Sequence, residues 1–152
     1  MEILKAKAQD IDEILALQKL AFMQVAETLG NYNIEPLTQS KADIKREFEN
    51  GVFLKCVCNG RICGSIRAYI DKSAVCHIGK LVVLPDMQRK GIGKSLLLEI
   101  EKHFVNAKKF ALFTGQITPH TRRLYESSGY TVVREEEKDS LKMLFMEKQN
   151  NL

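Results

Sequence analysis

The stretch from Leu81 to Leu98 constrains the fold of this chain more than any other. Its opening residues, Leu81-Val82-Val83-Leu84, are a continuous apolar run, the pattern of a strand buried on both faces. Pro85 cannot donate to a sheet ladder, so the strand should end there. Gln88-Arg89-Lys90-Gly91-Ile92-Gly93-Lys94-Ser95 then forms a basic loop whose glycines permit close backbone approach and conformations that a side chain forbids. Helical spacing of Ile92, Leu96, Leu97, Ile100 and Phe104 follows. The first amide N–H groups of a helix have no partner within it, and its dipole is positive at that end. Arg89, Lys90 and Lys94 add charge there, and the sum is a site suited to phosphate groups. A plain strand-to-helix turn with solvated basic residues is the alternative that composition alone leaves open.

Two nucleotide-binding patterns fit this loop less well. Gly93-Lys94-Ser95 looks like the end of an ATP-type P-loop, but that motif needs glycine where Gln88 stands. A dinucleotide fingerprint wants glycine at the position of Leu96.

The chain has 152 residues, which predicts a single domain with a sizeable core. Apolar residues make up 45% and charged residues 28%, ordinary for a soluble globular protein. No run of about 18 apolar residues predicts a membrane span. Met1-Glu2-Ile3-Leu4-Lys5 lacks the apolar core of a secretory signal, so a cytoplasmic protein is expected. The net charge of +4 is mild and spread along the chain, which gives no argument for nucleic acid. Of the cysteines, Cys56 and Cys58 share one face of a strand, while Cys63 and Cys76 supply no second pair at zinc-type spacing. The expectation is buried, reduced thiols and no metal.

In order, residues 3–7 read as a short strand. Asp10 reads as an N-cap with Glu13 in a capping box, opening a helix over 11–28 that ends near Gly30. Residues 31–39 read as a loop carrying Tyr32, Glu35 and Pro36. Ser40 and Asp43 form a second capping box, for a helix that stops at Asn50-Gly51. Strands follow over 52–58 and 61–70, joined by Asn59-Gly60, the strongest short hairpin signal in the chain. Asp71-Lys72-Ser73 is a turn into a long strand over 74–84, then comes the loop and a helix to Phe104. A buried strand over 110–113, a helix over 119–127 with proline in its first turn and Gly129 after its end, and strands over 130–134 and 141–146 complete the chain. Glu135 to Asp139 reads as an acidic turn and residues 149–152 as a frayed tail.

Gln88-x-x-Gly91-x-Gly93, following Leu-Val-Val-Leu-Pro, resembles the pyrophosphate loop of the GNAT N-acetyltransferase family. A second segment, Thr118 to Tyr130, resembles that family's other signature through Leu124-Tyr125, Gly129 and Tyr130. Thr118 stands where the family usually has an asparagine that contacts the pantetheine arm, and Thr121 where it usually has alanine. The resemblance covers nearly the whole chain. It implies an α/β (α+β) acyltransferase fold: a mixed, mostly antiparallel central sheet with splayed middle strands, flanked by helices. It also implies acetyl-CoA as co-substrate, with no metal, and direct attack by a primary amine in a ternary complex.

On that resemblance the cofactor would lie along Leu81, Val82, Val83, Gln88, Arg89, Lys90, Gly91, Ile92, Gly93, Lys94, Ser95 and Thr118. Tyr125 matches the tyrosine that protonates the departing thiolate. A phenol of ordinary pKa ~10 can serve a thiolate of pKa ~8.5 only within hydrogen-bond reach. His77 stands where relatives often carry a glutamate base, and an imidazole of ordinary pKa ~6.5 can take a proton from an ammonium, directly or through water. His120 and water are the other candidates for the base. The acceptor, a small-molecule or protein amine, would sit under the first two helices near Tyr32, Glu35 and Glu47. Homodimers are common among similar proteins. A coenzyme A-binding or regulatory module without catalysis is the alternative of a different class.

Overall fold

Short turns join three consecutive strands of the N-terminal half into a meander, and the C-terminal strands are added across one parallel seam. The structure, a computed structural model, describes residues 1–116, 119–138 and 141–151. Its strands are β1 (Glu2–Lys5), β2 (Val52–Cys58), β3 (Arg61–Ile70), β4 (Val75–Val83), β5 (Lys109–Gly115), β6 (Thr131–Lys138) and β7 (Leu141–Gln149). Its helices are α1 (Ile11–Leu29), α2 (Glu35–Thr38), α3 (Lys41–Glu49), α4 (Ile92–Glu101) and α5 (Pro119–Ser127). The sheet order is β1-β2-β3-β4-β5-β7-β6. Every pairing is antiparallel except β4 with β5, which is parallel and needs α4 as its crossover. This is the mixed, helix-flanked sheet that the resemblance implied.

Each face of the sheet carries its own apolar layer. One packs Leu54, Ile66, Ile78, Phe110 and Leu144 against Leu96, Leu97 and Ile100 of α4. The other packs Phe53, Ile62 and Val82 against Ile11, Ile14 and Leu17 of α1 and Ile44 of α3. Leu96, Leu97 and Ile100 are fully buried. Each such side chain contributes about 1.5–3 kcal/mol relative to exposure, so α4 is held by its buried face rather than by helix propensity.

Local signals hold at most boundaries. Asn59 and Gly60 have φ of 52° and 77°, the two positive values of a tight hairpin turn. Gly30 closes α1 with φ 66°, and Gly129 follows α5 with φ 99°. The Ser40 hydroxyl accepts from the Asp43 N–H at 3.1 Å, and the Asp43 carboxylate accepts from the Ser40 N–H at 3.2 Å.

Four readings need correction. Asp10 and Glu13 do not form a capping box for α1. A 3-10 turn at Ala8–Asp10 runs straight into the helix and leaves Asp10 with helical angles. The Asp10 carboxylate instead accepts from the Lys7 N–H and pairs with Lys55, both at 2.7 Å. Glu13 accepts from the Ile62 N–H of β3 at 2.8 Å. The expected loop over 31–39 contains α2, a helix of four residues that is too short to show periodicity. Glu135, Glu136 and Glu137 lie in β6, paired across to Leu144, Met143 and Lys142, and are not a turn; Asp139 lies outside the described residues. The tail is tied rather than frayed up to Asn150, whose side chain donates to the carbonyls of Val105 and Ala107. Among the described residues, no helix is long and apolar enough to cross a membrane.

Candidate functional site

The two halves of β4 have different neighbours. Val75, Cys76 and His77 pair with Lys109, Phe110 and Ala111 of β5, and the pairing stops there. Beyond it, β5 runs on against β7 as far as Gly115, paired with Met143, while β4 from Gly79 to Val83 is laddered to β3 alone. The β3–β4 register also shifts in this half. Ser65 faces Val82 and Arg67 faces Gly79, so Lys80 and Leu81 both stand opposite Ile66. Lys80 absorbs the extra residue with a φ of 52°. The bulge turns Leu81 and Val83 toward the α4 layer and Val82 toward the α1 layer. The backbone of Leu81 to Val83 thus leads out of an opening between β4 and β5.

The loop that follows is held from below. The Leu84 N–H donates to the Cys63 carbonyl at 2.8 Å, and Pro85–Met87 forms a 3-10 turn. The Gln88 side-chain amide donates back to the Val83 carbonyl at 3.1 Å. Arg89 and Gly91 both take left-handed angles, φ 64° and 83°. Gly91 is the N-cap of α4, supplies no side-chain cap, and no acidic residue lies in the first turn. The first amides of α4 therefore face the opening without a side-chain acceptor. A Cβ on Gly93 would meet Leu124 of α5 at 3.5 Å, an ordinary contact, so protein crowding does not explain that glycine. Arg89 donates to His120 Nε2 at 2.7 Å and ties the loop to the start of α5. This places His120 at the loop end of the opening.

His77 sits on the last rung shared by β4 and β5. Its ring stacks on Tyr69 with centroids 5.0 Å apart, and its Nε2 is 2.7 Å from Asp71 Oδ2. The His77 hydrogen bond, with backbone N–H groups of Val75 and Ser73, holds the Asp71 carboxyl below its usual range. Tyr125 is buried in the α4 layer and meets Tyr130 edge-on, with centroids 6.2 Å apart. Burial pushes its phenol up to about 12. Thr118 lies outside the described residues.

The helices over the other face bring a charged network to the bulge. Arg67 is 6% exposed and donates to Gln18 Oε1 at 2.7 Å and Gln39 Oε1 at 3.1 Å. It also pairs with Glu47 at 3.3 Å and lies over the Phe53 ring. Burial draws its pKa down against the pull of Glu47 and Glu35. Gln39 donates to Glu47 at 2.8 Å, and Lys80 pairs with Glu35 at 2.8 Å. Glu35 and Glu47, read from sequence as a clamp for a cationic amine, are thus already paired with cations of this chain. Tyr32 is exposed and stands outside the network.

Residues 24–150 match the sequence model described as an acetyltransferase (GNAT) domain. The chain belongs to the GNAT acetyltransferase family. It is 33% identical over 118 residues to the UPF0157 protein YqkA of Bacillus subtilis (strain 168), a match over 78% of this chain and 34% of that protein. The chain therefore spans about a third of the length of that curated relative. The GNAT fold is shared with the PaiA N-acetyltransferase of Thermoplasma acidophilum solved with coenzyme A, at TM-score 0.80 and 22% identity over 97% of this chain and 98% of that one. The ribosomal-protein-S18-alanine N-acetyltransferase of Escherichia coli superposes at TM-score 0.80 and 15% identity, over 99% and 94% of the two chains. A phosphinothricin acetyltransferase of Sinorhizobium meliloti, solved with acetyl-CoA, does so at 0.77 and 17%, over 97% and 87%. At these identities the likeness is one of fold.

Within this GNAT fold the structure gathers the loop residues Gln88 to Ser95 and the strand residues Leu81 to Val83 at one edge of the opening. Leu124 beside Gly93 brings α5, which carries Tyr125, against the same loop. His77 lies on the last shared rung, where the opening begins, and His120, tied to the loop by Arg89, does not join it. Sequence reading missed Arg67, Gln18, Gln39 and Lys80. Arg67 carried a signal, a charge inside β3 between the apolar Ile66 and Ala68. Lys80 broke an otherwise apolar run.

Proposed function

We propose that this chain transfers the acetyl group of acetyl-CoA to a primary amine, on a small molecule or a protein, by direct attack. The observation that carries the reading is the glycine-flanked, uncapped start of α4 at the mouth where β4 parts from β5. A helix N-terminus of this kind binds phosphate through backbone N–H groups. Gly91, Ile92, Gly93, Lys94 and Ser95 would hold the diphosphate through their amides, with Arg89, Lys90 and Lys94 adding charge. The absence of crowding at Gly93 supports a ligand as the reason for that glycine. The Gln88 side chain, anchored on the Val83 carbonyl, fixes how the loop leaves the strand.

Acetyl-CoA supplies the acyl group as a thioester. The backbone amides of Leu81, Val82 and Val83 would line its arm and, with one ladder free, donate to the carbonyl oxygen as charge develops there. The Tyr125 hydroxyl stays protonated up to about pH 12, so it can donate at neutral pH. Full proton transfer to a thiolate of pKa ~8.5 would be uphill by about 5 kcal/mol. A hydrogen bond to the departing sulfur is the smaller demand, and transfer becomes easier as the same dry surroundings raise the thiol pKa. His77, with Nε2 turned to Asp71, keeps Nδ1 as the acceptor for an ammonium proton, directly or through water.

The test has two parts. Acetyl-CoA at about 100 times its dissociation constant should stabilise the fold by roughly 2.7 kcal/mol in a thermal-shift titration. A panel of amines with acetyl-CoA and thiol detection should then find turnover. No thermal response ends the cofactor assignment, and binding without turnover on any amine favours the non-catalytic module.

A further inference from the structure

The β2–β3 hairpin gathers three thiols that the acyl-transfer reading does not use. Cys56 and Cys58 point to the α4 face, as their spacing requires. Cys63 joins them through a bulge. Val57 pairs with Ile62 but Cys56 pairs with Gly64, so Cys63 is the extra residue and its side chain turns toward the other two. The three sulfurs lie within 4.8 Å of one another, with Cys58 Sγ 2.7 Å from Cys63 Sγ. All three residues are buried, Cys58 at 8% exposure being the most open and lying next to the exposed Asn59-Gly60 turn.

We propose that Cys56, Cys58 and Cys63 form a three-sulfur site for a soft monovalent d10 metal ion, with Cu(I) as the chemical type. No carboxylate or imidazole belongs to the group, and an all-thiolate donor set selects soft ions. Zinc prefers a fourth ligand, and none converges with these three among the described residues. With metal–sulfur bonds near 2.3 Å, a trigonal site holds its sulfurs about 4 Å apart. Cys58 and Cys63 must then separate by a little over 1 Å, within the reach of side-chain adjustment at the hairpin end. Binding replaces thiol protons by the metal, so three protons at most leave to solvent and no oxidant or reductant is needed. Cys76, on β4, is not in the group and serves as the internal control.

Reduced protein under anaerobic conditions would be titrated with Cu(I), added as its acetonitrile complex, against a colorimetric Cu(I) chelator. The expected result is one Cu(I) retained per chain. Alkylation followed by peptide mass mapping should show Cys56, Cys58 and Cys63 protected on binding, with the reactivity of Cys76 unchanged. Cys58→Ala should weaken retention at least tenfold, and Cys76→Ala should not change it. The protection map uses the wild-type chain, so it decides the matter even where a variant folds poorly. The proposal is overturned if no Cu(I) is retained against the chelator or protection does not single out these three thiols.

Discussion

The two ends of β4 are built from similar residues and do opposite things. At Val75 to His77 the strand is laddered on both sides, to Ile70 and Tyr69 of β3 and to β5. At Gly79 to Val83 it keeps one ladder, takes a bulge at Lys80, and runs into a loop with left-handed angles at Arg89 and Gly91. The closed end satisfies its backbone groups within the sheet. The open end leaves the backbone groups on its β5 side outside any ladder, where the proposed cofactor would meet them. A buried strand can afford this only where something else completes its hydrogen bonds, since an unpaired buried peptide group costs about as much as a lost hydrogen bond. The apolar run Leu81 to Leu84 looks like interior strand in the sequence, yet in the sheet it has a ladder on one side only.

The largest effect should come from the loop at the open end. Gly91→Val forces a β-branched side chain into φ 83°, a conformation that distorts the cradle although no protein atom lies within 4 Å of the new Cβ. Cofactor affinity should fall at least a hundredfold by calorimetry, with circular dichroism unchanged. Wild-type affinity would show that the open end is not the phosphate site.

Next in size is Tyr125→Phe, which removes one oxygen and keeps the ring in its layer. We expect kcat to fall about 10²-fold, with little change in KM for acetyl-CoA. Turnover at the wild-type rate under chemistry-limited conditions would make Tyr125 a packing residue.

At the boundary between the two ends, His77→Ala should lower kcat by about 10²-fold if the imidazole is the base. Asp71→Asn should cost less, about tenfold, because it removes only the orienting carboxylate. Steady-state kinetics with both variants unchanged would pass the role to water.

The last effect belongs to the closed end and is read in stability rather than in binding or turnover. Burial pushes the Cys76 thiol from about 9 up to about 12. A folded-state pKa raised above the unfolded one gives stability that is complete below pH ~9 and is lost as pH rises toward about 12. The loss is at most about 1.4 kcal/mol per pH unit for one group. Urea midpoints at pH 8, 10 and 11 should therefore fall, and Cys76→Ala should fall less steeply than wild type. Parallel curves would mean that the thiol titrates alike in both states.

Glycine and proline made the open end legible. Pro85, Gly91 and Gly93 act locally, so their order along the chain places strand end, turn and helix start without knowledge of any partner. Tyr125 was singled out in another way, through the resemblance of Leu124-Tyr125, Gly129 and Tyr130 to the family's second signature. Lys80 was different: a bulge is a relation between two strands, and only the β3 register reveals it. The Arg67 network was hidden because its members, Gln18 of α1, Gln39 just after α2 and Glu47 of α3, come from separate parts of the chain and carry no common spacing. Asp10 and Glu13 show the reverse failure. Their spacing was that of a capping box, but Lys55 and the Ile62 N–H offered better partners from the sheet. The acidic run over 135–137 hid a strand because β6 pairs on its one side with β7 and needs no alternating apolar face.

Folding must close the β4–β5 seam late. Tight turns at Asn59-Gly60 and residues 71–74 let β2, β3 and β4 find one another over short stretches of chain. The seam instead joins parallel strands, requires the whole of α4 between them, and offers three residue pairs against the seven between β5 and β7. Long loop closure for so few rungs is the slowest kind of strand pairing. The opening between β4 and β5, proposed above as the cofactor's entry, is then the last backbone junction to form and the first to come apart. Amide exchange at Lys109 to Ala111, faster than in the β2–β3 hairpin and slowed by coenzyme A, is where that order would be read.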